Sequence, residues 1–145
     1  MAKVYTTRVG SGPFPTEEKG EVGTALREKG HEYGSTTGRP RRCGWLDLVA
    51  LKYSFMVNDF DYIALTKIDV LDEFEEIKVA VAYSYKNSRL ENFPPEPEVL
   101  EEVKPIYKTF KGWRKSTRGA KDIASLPQEA LDYIKFIEDF LEKPI

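Results

Sequence analysis

Between residues 4 and 58 the sequence changes character three times. A β-branched and aromatic run, Val4-Tyr5-Thr6-Thr7-Arg8-Val9, reads as a strand; a polar, glycine-punctuated stretch over 34–44 reads as a loop. After it, Leu46, Val49, Ala50, Tyr53, Met56 and Val57 fall at i, i+3, i+4, i+7, i+10 and i+11, which predicts one apolar face of a helix. Asp47 near its start suits the positive end of the helix dipole. Tyr62-Ile63-Ala64-Leu65 follows as a short buried strand ending at Thr66, and 77–85 as a further strand. Strand, polar loop, helix and buried strand in that order predict a mixed α/β sheet whose loops carry ligands at strand ends.

The remaining segments fit around that frame. Two glycines and two prolines in Gly10-Ser11-Gly12-Pro13-Phe14-Pro15 enforce a loop, and 22–29 predicts a short helix closed by Gly30. Three prolines and five glutamates over 91–102 predict a surface excursion, with a helical turn or two over 97–103. A short strand is expected over 107–113. The last helix has Ser125 and Gln128 in capping-box spacing and Pro127 in its first turn. Leu126, Ala130, Tyr133, Ile134, Ile137, Phe140 and Leu141 form its predicted inner face. No repeat or low-complexity tract interrupts the pattern, so residues 1–145 are read as a single unit.

Composition limits the function classes. A net charge of −2 gives no global field for a polyanion, so any attraction to nucleotides must come from local clusters. Cys43, the single cysteine, excludes an internal disulfide and fits a reducing compartment. No apolar run approaches the ~18 residues that span a bilayer, and the N-terminus lacks the pattern of a signal peptide. A soluble intracellular domain is expected, without membrane attachment.

Three segments carry groups suited to chemistry. Lys67 and Asp69 follow the strand ending at Thr66; a carboxylate there can accept two hydrogen bonds from the ring N–H and exocyclic amine of guanine. Adenine offers no such donor pair, so a site of this kind discriminates through unpaired polar groups. The competing reading is a solvated loop. In Gly34-Ser35-Thr36-Thr37-Gly38-Arg39-Pro40-Arg41-Arg42, hydroxyls beside flexible glycines suit a small anion, and arginine forks suit carboxylate or phosphate. Pro40 fixes the backbone between Arg39 and Arg41 so that their guanidinium groups point apart. A basic surface loop or a nonspecific RNA patch is the alternative. The acidic balance and the lack of interleaved aromatics around 39–42 speak against RNA. Arg8-Val9-Gly10-Ser11-Gly12-Pro13 allows close backbone approach but lacks the Gly-Lys-Ser/Thr of a Walker loop, and a structural turn also explains it. His31 and Cys43 lack partners for catalysis, and Asp72-Glu73-Phe74-Glu75-Glu76 reads as a solvated turn, not a metal loop.

In order and spacing, these motifs resemble one family. Tyr5-Thr6-Thr7-Arg8-Val9-Gly10-Ser11-Gly12-Pro13-Phe14-Pro15-Thr16-Glu17, the segment from Gly34 to Asp47, and Leu65-Thr66-Lys67-Ile68-Asp69-Val70-Leu71-Asp72 resemble signature stretches of adenylosuccinate synthetase. Gly112-Trp113, Ser116-Thr117, Leu126-Pro127 and Tyr133-Ile134 continue the likeness across the chain. The resemblance implies the C-terminal portion of a GTP-dependent ligase that joins IMP to L-aspartate in AMP biosynthesis, with a partial P-loop-NTPase-like sheet and flanking helices. It implies aspartate binding at Ser35, Thr36, Thr37, Gly38, Arg39 and Arg41, IMP binding at Val9 and Arg39, and GTP binding at Arg41, Lys67, Ile68 and Asp69. Ile68 replaces a more usual leucine, and Pro40 a common basic residue. The family's phosphate loop, general base, catalytic histidine and Mg2+ ligands have no counterpart here, nor has a Ser-Thr-Gly-Pro-like segment that closes over guanine. The resemblance therefore implies an inactive fragment without catalytic residues or a metal site of its own, with exposed apolar surface where its neighbours are missing. Homodimerisation and a cytoplasmic location are implied for the family. A non-catalytic guanine-nucleotide-binding or interaction module is the alternative.

Overall fold

The computed structural model describes residues 1–145 as a mixed α/β fold. Strand β1 (Ala2–Lys3) pairs in parallel with β4 (Leu65–Thr66), aligning Lys3 with Thr66. Strand β2 (Tyr5–Arg8) runs antiparallel to β3 (Arg42–Asp47), which is parallel to β5 (Glu76–Tyr85). The other edge of β5 carries antiparallel β7 (Lys104–Lys111), and β6 (Ser88–Leu90) folds back on its end. Helices α1 (Glu21–Gly30), α2 (Leu48–Asn58), α3 (Pro97–Glu102) and α4 (Gln128–Leu141) complete the chain.

The main core joins Leu26 of α1, Leu48 of α2, the sheet residues Trp45, Leu46, Ile77 and Val79, and Ala130, Tyr133, Ile137 and Leu141 of α4. Helix α4 presents the face its periodicity predicts. Phe110 of β7 meets Tyr133 edge-on at a ring distance of 5.6 Å, and Trp113 lies 5.9 Å from the same ring. Tyr83 and Val49 start a smaller apolar cluster that covers Val103.

Several local expectations are revised. Leu46 belongs to β3, not to the helix, and β3 begins inside the stretch read as loop. Its buried run Cys43-Gly44-Trp45-Leu46 was masked by the arginines before it. Asp47 closes the strand and caps α2, its side chain accepting from the Ala50 N–H at 3.1 Å. Helix α2 consequently turns Leu48, Val49 and Phe55 inward and leaves Met56 73% and Val57 62% exposed. Of the run 62–65, Ile63 is buried, but Tyr62 is exposed and only Leu65–Thr66 forms strand. His31, not Gly30, takes the left-handed position after α1, at φ 52°. Ser125 does not cap α4; it ends a short 3-10 turn, Ile123–Ser125, capped by Asp122. Asp72 is not a solvated turn residue, since it is buried and accepts from Trp113 Nε1, Thr117 N–H and Thr117 Oγ1 at 2.8–2.9 Å.

Candidate nucleotide and aspartate site

The polar loop after α1 is closed at its base by a bridge between Tyr33 and Pro40. Within it, Gly34 N–H donates to Arg39 O at 2.8 Å and Gly38 N–H to Gly34 O at 3.0 Å. Gly38 sits at φ 69°, a conformation that glycine adopts without steric cost. Ser35, Thr36, Thr37 and Arg39 are exposed around this frame. Arg41 differs: its backbone N–H donates to Glu32 O at 3.0 Å, and its Nη1 reaches Glu32 Oε2 at 2.7 Å. Arg41 is thus tied to Glu32, while Arg39 stands exposed.

The β2–β3 register pairs Arg8 with Arg42, so Val9 begins its loop at the end of the sheet where Arg41 enters β3. Val9 is 77% exposed. Arg42 braces this loop. Its guanidinium forks onto Glu17 at 2.9 and 3.0 Å, donates to Gly10 O and Gly12 O at 2.9 Å each, and covers the Phe14 ring. Arg42's hydrogen bond and ion pair hold the Glu17 carboxyl below its usual range, against the smaller opposing effect of burial.

Beyond β4, Lys67 takes a left-handed backbone at φ 63° and starts the 3-10 turn Ile68–Leu71. Its Nζ donates to Gly30 O at 2.5 Å and lies 3.4 Å from Glu32 Oε1. Asp69 is partly exposed and accepts from Arg118 Nε at 3.1 Å. It opens onto a polar cleft of about 720 Å³ shared with Lys29, His31, Asp72, Lys115 and Arg118. The buried Asp72 anchors the 113–117 segment that forms the far wall of this cleft.

Glu32 links the two cationic segments. Its side chain is fully buried, and Oε1 accepts from Tyr5 Oη at 2.5 Å and Lys3 Nζ at 2.9 Å while Oε2 takes Arg41. Burial alone would raise its pKa, but hydrogen bonds from Lys3, Tyr5 and Arg41 outweigh it and lower the group to about 2. Sequence reading missed this residue because Glu32 stands beside His31 in a polar stretch. The signal available was its place two residues after a helix stop, where the chain reverses into the core. Cys43 is buried, which pushes its thiol upward and fits the expectation of an unreactive side chain.

An α/β sheet with two cationic loops and a polar cleft lined by charges of both signs is the arrangement that suits proteins handling anionic ligands at strand ends. The Adenylosuccinate synthetase family model matches residues 1–145, and the chain belongs to that family. It is 63% identical over its whole length to the adenylosuccinate synthetase of Aquifex aeolicus, covering 34% of that protein, and 54% identical to that of Meyerozyma guilliermondii, again over 34%. A structure of the fully ligated adenylosuccinate synthetase from Plasmodium falciparum superposes with a TM-score of 0.95 at 47% identity, over 99% of this chain and 35% of that one. The chain thus spans about a third of the length of the curated relatives it matches.

Proposed function

We propose that this chain supplies the aspartate loop and guanine-recognition segment of an adenylosuccinate synthetase, as the C-terminal portion of that enzyme. In the reaction the family performs, GTP transfers its terminal phosphoryl group to the 6-oxygen of IMP. The aspartate amine then attacks C6, and the C–O bond breaks to release phosphate.

The observation that carries this reading is the loop closed by Tyr33 and Pro40. It leaves Ser35, Thr36, Thr37 and Arg39 exposed while Arg41 is held from behind. Hydroxyls and the Gly38 backbone meet the aspartate carboxylates, and Arg39 and Arg41 complete the charge match. Arg39 and the backbone at Val9 also contact IMP. Holding the amine against C6 raises its effective concentration, the main contribution of such a loop. Lys67, Ile68 and Asp69 read guanine, with Arg41 nearby on GTP, and Asp69 exchanges Arg118 for the base.

Phosphoryl transfer and proton movement belong to residues outside these 145, as does the Mg2+ that the family uses. The chain alone is inactive on this reading. No helix is long and apolar enough to cross a membrane. A cytoplasmic homodimer without nucleic-acid partners is the assembly in which we place it.

Ligand-observed NMR on the folded chain with GTP, ATP, IMP and aspartate, with Asp69→Ala as control, tests the reading. Selective GTP signal lost in the variant supports the guanine site. Equal response to GTP and ATP removes it, and adenylosuccinate formed by the chain alone would overturn the inactive assignment.

A further inference from the structure

We infer that Glu32 is a positioning residue that holds the aspartate loop and the guanine segment as one unit, with Arg41 on one carboxylate oxygen and Lys67 facing the other. The inference rests on the roles proposed above for Arg41 and Lys67. Glu32 itself is fully buried and reaches no ligand directly; it acts through the cations around it. Those cations come from three distant parts of the chain. Lys3 arrives from β1, Arg41 from the residue before β3, and Lys67 from the turn after β4, with Nζ or Nη1 2.9, 2.7 and 3.4 Å from the carboxylate.

The two oxygens divide these contacts. Oε2 takes Arg41, and Oε1 takes Tyr5 and Lys3 with Lys67 at longer range. One negative charge among three positive ones allows cations that would otherwise repel to converge, and it leaves a surplus of two positive charges. Such a surplus suits anionic ligands that approach from the exposed sides of Arg41 and Lys67. Backbone geometry reinforces the link, because Arg41 N–H bonds to Glu32 O and Lys67 Nζ to Gly30 O two residues earlier. Moving the 30–32 turn therefore moves both cations together. Occupancy at one loop is transmitted to the other through this carboxylate.

The first test needs no ligand. In arginine-labelled protein, the side-chain Nε–H resonance of Arg41, assigned with Arg41→Lys, is compared in the wild-type chain and in Lys67→Met, Glu32→Gln and the double variant. Lys67→Met should shift the Arg41 resonance when Glu32 is present and leave it unmoved when Glu32 is glutamine. No shift in the wild-type background, or the same shift in both, overturns the inference. If Glu32→Gln unfolds, Glu32→Asp replaces it; the charge stays, the reach shortens, and the coupling should fall without vanishing.

The second test measures affinity in folded protein. Glu32→Gln should weaken both GTP and aspartate by about tenfold, whereas Asp69→Ala weakens GTP alone. A Glu32 that is merely structural lowers stability and leaves both affinities unchanged. If the wild-type chain takes up neither ligand, the preceding functional reading fails, and the Arg41 resonance still decides the role of Glu32.

Discussion

Tyr133 and Val4 lie 129 residues apart, and the buried phenol of Tyr133 donates a hydrogen bond to the Val4 carbonyl at 3.0 Å. The contact ties the last helix to the turn between the first two strands. Tyr133→Phe keeps the edge-on and tilted ring contacts with Phe110 and Trp113 but removes the donor. It should destabilise the chain by about 1–2 kcal/mol, read from urea denaturation. An unchanged midpoint would mean that Val4 O is satisfied by water.

Glu32 predicts an acid-sensitive window. Its folded value of about 2 lies below the ordinary 4.5, so its contribution is complete above 4.5 and is lost as the pH falls through 2. Burial holds Asp47 above its ordinary value, which acts with the opposite sign and strengthens the fold as the pH drops. Comparing wild type with Glu32→Gln cancels Asp47. The stability difference should shrink by on the order of 2 kcal/mol between pH 4.5 and 2, measured by denaturant titration at stepped pH. Parallel profiles would show that the cation cluster does not stabilise the fold.

Two glycines should answer differently to alanine. A Cβ at Gly44 would meet the Thr16 carbonyl oxygen at 2.0 Å, in the rigid core of the sheet. Gly44→Ala should therefore fail to give soluble folded protein. At Gly38 nothing lies within 4 Å, and the cost is only that of holding alanine at φ 69°. Gly38→Ala should lose about 1 kcal/mol and remain folded, with expression level and circular dichroism as the readouts.

Arg118 competes for the carboxylate that the guanine edge would need. Its ion pair with Asp69 is solvent-exposed, a type of contact worth about 0–1 kcal/mol. Arg118→Ala should raise GTP affinity by roughly two- to fivefold, measured by titration calorimetry, and leave ATP unaffected. Weaker GTP binding would instead make Arg118 a ligand contact.

The sequence made the α/β class, the strand at 77–85 and the inner face of α4 legible, because each has a run long enough for its periodicity to dominate. Strand β3 was hidden because its first residue, Arg42, is charged and its buried run includes Gly44, which has no side chain to declare an inward face. That lost strand shifted the expected start of α2 and turned Met56 and Val57 inward, while Val49 was placed correctly. Local chemistry singled out the loops at 35–41 and 67–69 but left a solvated or basic surface loop open for each, and their ligand roles came from the family resemblance. The carboxylate joining them was not legible, since Glu32 meets Lys3 and Lys67 only after β1 and β4 have paired.

The arginines at 39, 41 and 42 grade from free to fixed. Arg42 commits four hydrogen bonds within the chain, Arg41 is held at one end by Glu32, and Arg39 stands exposed. A ligand arriving at this loop has little rotamer freedom left to remove from Arg41 and Arg42. The ordering cost falls mainly on Arg39, roughly 2 kcal/mol for a fully mobile arginine. On the proposed reading, Arg39 therefore carries the encounter and the ordering entropy, while Arg41 meets the anion already held by Glu32 and Arg42 only keeps the neighbouring loop in place.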